Sequence, residues 1–275
     1  MRAPPLSLAA LTVLDAGPAG QIRACTDAGF GSVGLRLMPL LDTDARVVGD
    51  AGAELEIVEL LQSTGLGVLE IGVFPIRPEM DWAAIEAVIA FSGRIGAQYL
   101  VCPVEDRDRN RRSVTLARLC DLASPHGLDA LVEFNPYSGC TTLGEAVDLV
   151  AEVGRANAAL VIDALHLSRS GGDPADLAAV PPGLIRLVHL CDAPPPPTGE
   201  RTIEELRAES RTARLLPGEG SLWLDGLLAA LPEGVGISIE APSAAHAHLP
   251  AAERARRALD ATKALLARHG RKWGV

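Results

Sequence analysis

Short apolar runs alternate with longer amphipathic stretches eight times along this chain of 275 residues. LSLAALTVL precedes a helix-like segment from about Pro18 to Ala28, and SVGLRL precedes one from about Asp42 to Ser63. GVLEIGV leads into DWAAIEAVIAFSGRIG, QYLVCPV into the stretch beginning RNRRSVTLARLCDLA, and LDALVEF into TLGEAVDLVAEVG. AALVIDALHL is followed by DPADLAAV, LIRLVHLCD by a long segment, and GVGISIE by a last helix over roughly Pro250 to Arg268. Brief apolar runs bounded by turns read as buried strands, and the amphipathic stretches between them as crossover helices. Gly29, Gly65, Gly96, Gly127, Gly154, Gly183 and Gly234 stand shortly before strands, where a helix must stop. Eight such units fit a single closed α/β (β/α)8 TIM barrel over residues 1–275. An open doubly wound sheet fits less well, and its glycine-rich phosphate loop is missing here.

Composition agrees with that architecture. Hydrophobic residues make up 48% of the chain but aromatics only 3%, so Leu, Val, Ile and Ala must build the interior. Parallel strands buried on both faces draw on such residues. A formal charge of −10 disfavours a surface built to neutralise nucleic-acid phosphates and points to a small-molecule partner. Cys25, Cys102, Cys120, Cys140 and Cys191 are odd in number, scattered and without CxxC spacing, which predicts reduced thiols in a cytoplasmic protein. The opening LSLAALTVL follows a single arginine and is interrupted by Thr12, so it reads as a first strand rather than a secretory segment. No apolar stretch approaches the roughly 20 residues that span a bilayer, so no membrane partner is expected.

Four runs in the second half end in a polar group: LVEF at Glu133, LVIDALH at Asp163, LVHLCD at His189 and ISIE at Glu240. A carboxylate or imidazole at the end of a buried run is costly to desolvate unless it is paired or bound to a cation. Alternate side chains of a barrel strand point to the lumen. Glu133 thus shares a face with Leu131, Asp163 with Val161, His189 with Leu187 and Glu240 with Ser238. The four therefore converge, from consecutive strand mouths, on one divalent metal. Three carboxylates and one imidazole suit Mn2+ best, with Mg2+, Co2+ or Zn2+ as alternatives. Such a site favours proton abstraction beside a bound carbonyl. Inverting proton return gives epimerisation, return to the adjacent carbon gives isomerisation, and loss of a β-hydroxyl gives dehydration.

The ordered motifs LVEFNPY, DALH, HLCD, GEG and SIE resemble those of the xylose isomerase-like barrels. That family includes ketose 3-epimerases, inosose dehydratase-like enzymes, dehydroshikimate dehydratases and endonuclease IV. The resemblance covers nearly the whole chain. It implies that Glu133 and Glu240 both bind metal and move protons, that Asp163 and His189 complete the metal shell, and that His166 contacts a substrate oxygen. It further implies a sugar or hydroxy-ketone isomerase or epimerase, with a dehydratase or lyase as the alternative and a homodimer or homotetramer as the assembly. The endonuclease branch carries extra histidines on its third and fourth strands, where this chain offers Glu70 and Cys102. A non-catalytic binding barrel is a further alternative.

Substrate contacts are expected from several charges near the mouth. Arg36 interrupts VGLRL and is read either as an anion ligand or as a salt-bridge partner of Glu70, which breaks the third strand in the same way. Arg169, beside SGG, is placed on the rim of the sixth loop, where it could hold a carboxylate or phosphate. Arg214 precedes LPGEG and is the preferred substrate arginine of the insertion, with Arg211 and Arg201 as rivals. Asp192 is expected to orient a ligand from behind. The insertion at about 192–216, opened by Pro194 to Pro197, is read as a lid, or alternatively as a packing or dimer-contact loop. His126, His246 and His248 are expected to be bystanders.

Overall fold

Eight parallel strands pair in chain order and close on themselves, β1 joining β8. They are β1 Ser7–Leu8, β2 Ser32–Leu35, β3 Gly67–Gly72, β4 Tyr99–Pro103, β5 Asp129–Glu133, β6 Ala158–Asp163, β7 Ile185–Leu190 and β8 Gly236–Ile239. The crossover helices are α1 Gly17–Ala28, α2 Ala51–Thr64, α3 Trp82–Arg94, α4 Arg109–Ala123, α5 Leu143–Val153 and the short α6 Ala164–Arg169. After β7 come α7 Ile203–Thr212 and α8 Leu224–Ala230, and α9 Ala251–Ala267 closes the ring. This computed structural model describes residues 6–40, 44, 46–196 and 198–269. Asp42, where the second helix was expected to begin, and Pro197 of the proline run lie outside them.

Two apolar layers hold the barrel. The lumen is plugged by Leu69, Val101, Leu131, Ala159, Val161 and Leu187, and the larger layer lies between strands and helices. Leu131, Val161 and Leu187 are the residues expected to share a face with the candidate ligands, so the strand alternation places Glu133, Asp163 and His189 above the plug, at the C-terminal mouth. The seven glycines before the strands all have positive φ. Gly65 shows why: it closes α2 in the left-handed region and its N–H reaches the Leu61 carbonyl.

Three elements differ from the sequence expectation: in the sixth unit the run AALVIDALHL is strand only to Asp163 and helical over Ala164–Arg169, while DPADLAAV holds a 3-10 segment, Pro174–Ala179. LSLAALTVL forms strand only over Ser7–Leu8, and Ala10–Ala16 is a 3-10 segment. The Thr12 hydroxyl donates to the Ile239 carbonyl and accepts from the Ala241 N–H, which turns the chain across the mouth beside β8. α2 starts at Ala51, where the Asp50 carboxylate accepts from the Gly52 and Ala53 N–H groups. All five cysteines are free and buried, and burial pushes the Cys120, Cys140 and Cys191 thiols up to about 12. Among the described residues no helix is long and apolar enough to cross a membrane.

Candidate metal centre

Glu133 ends β5, Asp163 ends β6, His189 is the penultimate residue of β7, and Glu240 follows β8 directly. Each offers one ligand atom, and the four atoms lie within 4.8 Å of one another. All four residues are buried. The His189 Nδ1 faces Glu133 Oε1 at 3.3 Å and Glu240 Oε2 at 3.6 Å, yet has no hydrogen-bond partner. Buried polar atoms in folded proteins are nearly always bonded. An unbonded imidazole nitrogen ringed by carboxylates therefore fits a cation between them.

Behind the centre, His189 Nε2 lies 2.6 Å from Glu70 Oε2, and the Ser238 hydroxyl donates to Glu70 Oε1 at 2.5 Å. This arrangement orients the imidazole so that Nδ1 is presented inward. The Glu70 carboxylate is thus paired with His189 and not with Arg36, the salt-bridge partner weighed for it from the sequence. The cause is a register shift between β2 and β3, where Val33 pairs with Val68 but Gly34 with Glu70, skipping Leu69. The extra residue swings Glu70 into the lumen. Gly34 leaves it room, since a Cβ there would sit 2.8 Å from Glu70 Oε1.

Arg214 is almost wholly buried at 1% exposure. Its Nη1 donates to Asp163 Oδ2 at 2.5 Å and to the Glu240 carbonyl at 3.2 Å, while Nη2 lies 3.2 Å from Glu240 Oε2. Its Nε donates to the Ser210 carbonyl at 2.7 Å. The backbone dictates this placement. After α7 the chain runs extended between the loops following β7 and β8, bridging Asp192 to Leu215 and Ala213 to Ser243, which drives the Arg214 side chain inward. Arg214 thus braces two candidate ligands, rather than standing free as the substrate arginine expected from the sequence.

The electrostatics follow from burial and these pairs. Burial works against the Asp163 carboxylate, but Arg214, His166 and His189 outweigh it and hold its pKa below the usual range. Burial, with Glu133 and Asp163 nearby, raises the Glu240 carboxyl to about 7 against the pull of His189 and Arg214. Burial opposes the His189 imidazolium, yet Glu70 and Glu240 raise it well above its ordinary value. Arg214 is paired directly with two of the three candidate-ligand carboxylates, and Arg36 also acts on Glu240 and Glu133. The donor set has the oxygen-rich character that hard divalent cations prefer.

The remaining expected residues separate. His166 is buried at the start of α6; its N–H donates to Asp163 Oδ1 at 2.8 Å, and its ring stands edge-on to Tyr137 with centroids 5.7 Å apart. Burial keeps its imidazole below the ordinary value. Arg169 does not present a free guanidinium to a ligand: it donates to both Glu209 oxygens, at 3.0 and 2.7 Å, and to the Pro194 carbonyl at 2.9 Å. Arg201 also bonds Glu209, so these two arginines fasten α7 to the rim. Asp192 does not orient a ligand; its carboxylate accepts from the Ala193, Gly218 and Leu222 N–H groups and shapes the GEG turn. His126 lies in a 3-10 turn before β5, while His246 and His248 lie beyond β8.

Sequence reasoning missed Tyr137 and Ser210, whose hydroxyls are 2.9 Å apart, and Arg207, which lies over the Tyr137 ring at 5.5 Å. One signal was available. Arg207, Arg211 and Arg214 are spaced four and three apart, as residues on one face of a helix are.

The inosose isomerase of Halalkalibacterium halodurans is 31% identical over 159 residues, 56% of this chain and 54% of that one. A 3-dehydroshikimate dehydratase of Bacillus anthracis is 26% identical over 96 residues, 35% and 33% of the two chains. The chain thus matches about half the length, or less, of these curated relatives. A solved structure of the IolI protein with a bound zinc atom superposes with a TM-score of 0.82 at 21% identity, over 98% of this chain and 100% of that one. The xylose isomerase-like TIM barrel model matches residues 22–265, and with the closed eight-stranded barrel this places the chain in the xylose isomerase-like TIM barrel family.

Proposed function

We propose that this protein is a divalent-metal-dependent isomerase or epimerase of a sugar or cyclic hydroxy-ketone, with Mn2+ as its metal. The observation that carries the reading is the convergence of Glu133, Asp163, His189 and Glu240 within 4.8 Å around an unbonded His189 Nδ1. A divalent cation held there supplies Lewis acidity: it draws charge from a carbonyl and its neighbouring hydroxyl and so acidifies the C–H between them. The chain's own groups do the proton work. Glu133 and Glu240 reach the centre from β5 and from the end of β8, so a substrate seated between them meets a carboxylate on either side. One carboxylate takes the proton and the other returns one. Arg214 keeps Asp163 ionised and holds Glu240 in place. His166, kept neutral by burial, supplies a hydrogen bond to a substrate oxygen. The likeness to inosose isomerase supports a small polyol-derived ketone as partner.

The match to a 3-dehydroshikimate dehydratase favours one second reading, in which the same proton abstraction is followed by loss of a β-hydroxyl. Metal analysis of the purified protein, with NMR of keto-sugars and inososes in D2O, tests both. Deuterium entering at the carbon beside the carbonyl, dependent on added Mn2+, is the expected result. A conjugated enone absorbance selects dehydration. No bound or activating metal, or no exchange with any such ketone, overturns the proposal.

A further inference from the structure

A cleft of about 720 Å3 opens at the mouth between the ends of β1, β2 and β8 and the last turn of α7. It adjoins the candidate metal centre. Thr12 lines it and bonds the backbone on both sides of Glu240, and Pro242 and Ser243 continue its wall. Arg36 reaches it from the end of β2 and Arg211 from α7. The Arg36 Nε is buried with no hydrogen-bond partner. Gln21 is fully buried on the same wall, and its Oε1 is likewise without a partner, although its Nε2 donates to the Ala10 carbonyl at 3.4 Å. An unbonded donor and an unbonded acceptor on one cleft wall define complementary needs.

The charges narrow the ligand. Arg254 also lines the cleft but is held by both Asp15 oxygens at 2.8 and 2.6 Å. Asp44 faces Arg36 and accepts from the Leu40 N–H at 2.8 Å. Among the lining residues the guanidinium groups of Arg36 and Arg211 stand against the Asp44 carboxylate, and Glu240 and Glu133 of the adjacent centre also act on Arg36. Arginine donors match a planar carboxylate, and the Gln21 Oε1 accepts from a hydroxyl.

We propose that this cleft recognises a singly charged, hydroxylated carboxylate through Arg36, Arg211 and Gln21, so that the substrate of the adjacent centre is a hydroxy-keto acid rather than a neutral sugar. The proposal rests on the isomerase reading above for the word substrate, but the binding it describes needs no turnover. Gluconate and glucitol are a suitable pair of probes: they differ at one terminal carbon and neither carries a ketone to react.

Calorimetric titration of the Mn2+-loaded protein should show gluconate bound at least about tenfold more tightly than glucitol. Arg211→Met, at an exposed position, and Arg36→Met should each weaken gluconate by about 10- to 100-fold and leave glucitol affinity unchanged. Equal binding of the two probes, tighter binding of glucitol 6-phosphate than of gluconate, or an Arg211→Met protein with unaltered gluconate affinity overturns the proposal. If the protein binds no metal, the isomerase reading falls, while the same titration on protein as purified still reads the cleft. If Arg36→Met fails to fold, Arg211→Met decides alone.

Discussion

The two halves of the barrel end their strands differently. β5, β6 and β7 end at or beside Glu133, Asp163 and His189, and Glu240 follows β8; β1 and β2 end in Leu8 and Leu35, and β3 and β4 in Gly72 and Pro103. From the first half Glu70 reaches toward the candidate centre, and it meets His189 from behind. Burying polar strand ends is tolerable in the second half because they compensate one another, with Arg214 spanning Asp163 and Glu240. The first half ends its strands in uncharged residues. Its charge, Arg36, stands just past β2 beside an open cleft. The candidate ligands thus gather at the mouth of the second half, and the cleft lies beside them, between the ends of β8, β1 and β2.

The division breaks most directly if second-half carboxylates prove dispensable. Glu133→Gln and Glu240→Gln keep shape but remove a ligand charge and a proton carrier. Each should reduce solvent deuterium exchange by on the order of 10²–10⁴-fold; a retained rate moves the base elsewhere. The pH dependence has a definite sign. The Glu240 carboxyl, raised to about 7, is largely protonated at about pH 6, and cation binding must expel that proton. Mn2+ affinity should therefore fall as pH drops below about 7. Calorimetry at about pH 6, in buffers of different ionisation enthalpy, should detect proton release; an affinity unchanged across this range contradicts it.

Next in size is Arg214→Met. Removing the guanidinium leaves Asp163 and Glu240 buried without their partner, and breaking such a pair costs about 3–5 kcal/mol. Denaturant unfolding of metal-free protein should show that loss. Added Mn2+ should recover more stability in the variant than in the parent, because a cation relieves the same repulsion. Equal loss with and without Mn2+ indicates that Arg214 acts through packing alone.

These residues differ in how readily the sequence discloses them. Glu133, Asp163, His189 and Glu240 are legible because each interrupts the end of an apolar run, a local signal with a clear physical cost. The barrel is legible for a similar reason, since strand and helix periods are local. Glu70 was visible as a break in β3, yet its partner was not: the register shift opposite Gly34 decides the face it takes. Arg169 stands on the rim as expected, but its partner was not visible, because Glu209 lies 40 residues away on a helix inside the insertion. The first strand was overextended because Thr12 bonds Ile239 and Ala241, at the far end of the chain. Local patterns report which side chains are costly to bury. They do not report which distant group relieves the cost.

Glu70→Gln tests the contact that the first half makes with a candidate ligand side chain. The neutral amide keeps a contact to His189 Nε2 but loses the charge that fixes the imidazole, and substitutions behind a metal ligand cost about 10- to 100-fold in affinity. Mn2+ titration should show a loss in that range, with the fold intact by circular dichroism. Unchanged affinity means that Glu70 contributes nothing to the centre.

The smallest effect is expected from Gly34→Ala, which leaves every polar group in place. The added Cβ would lie 2.8 Å from Glu70 Oε1, 2.9 Å from its Cγ and 3.2 Å from the Ala9 Cα. The Glu70 side chain can yield, whereas the Ala9 backbone is fixed in the strand pairing. Overpacking of this kind costs about 1–3 kcal/mol. Part of the strain should appear as a displaced Glu70, and hence as a Mn2+ affinity reduced by less than in Glu70→Gln. The combined variant separates the routes. If Gly34 acts on the metal through Glu70, then Gly34→Ala added to Glu70→Gln weakens Mn2+ no further, because the contact it disturbs is already lost. Additive losses in metal affinity place its influence in the β2–β3 register instead.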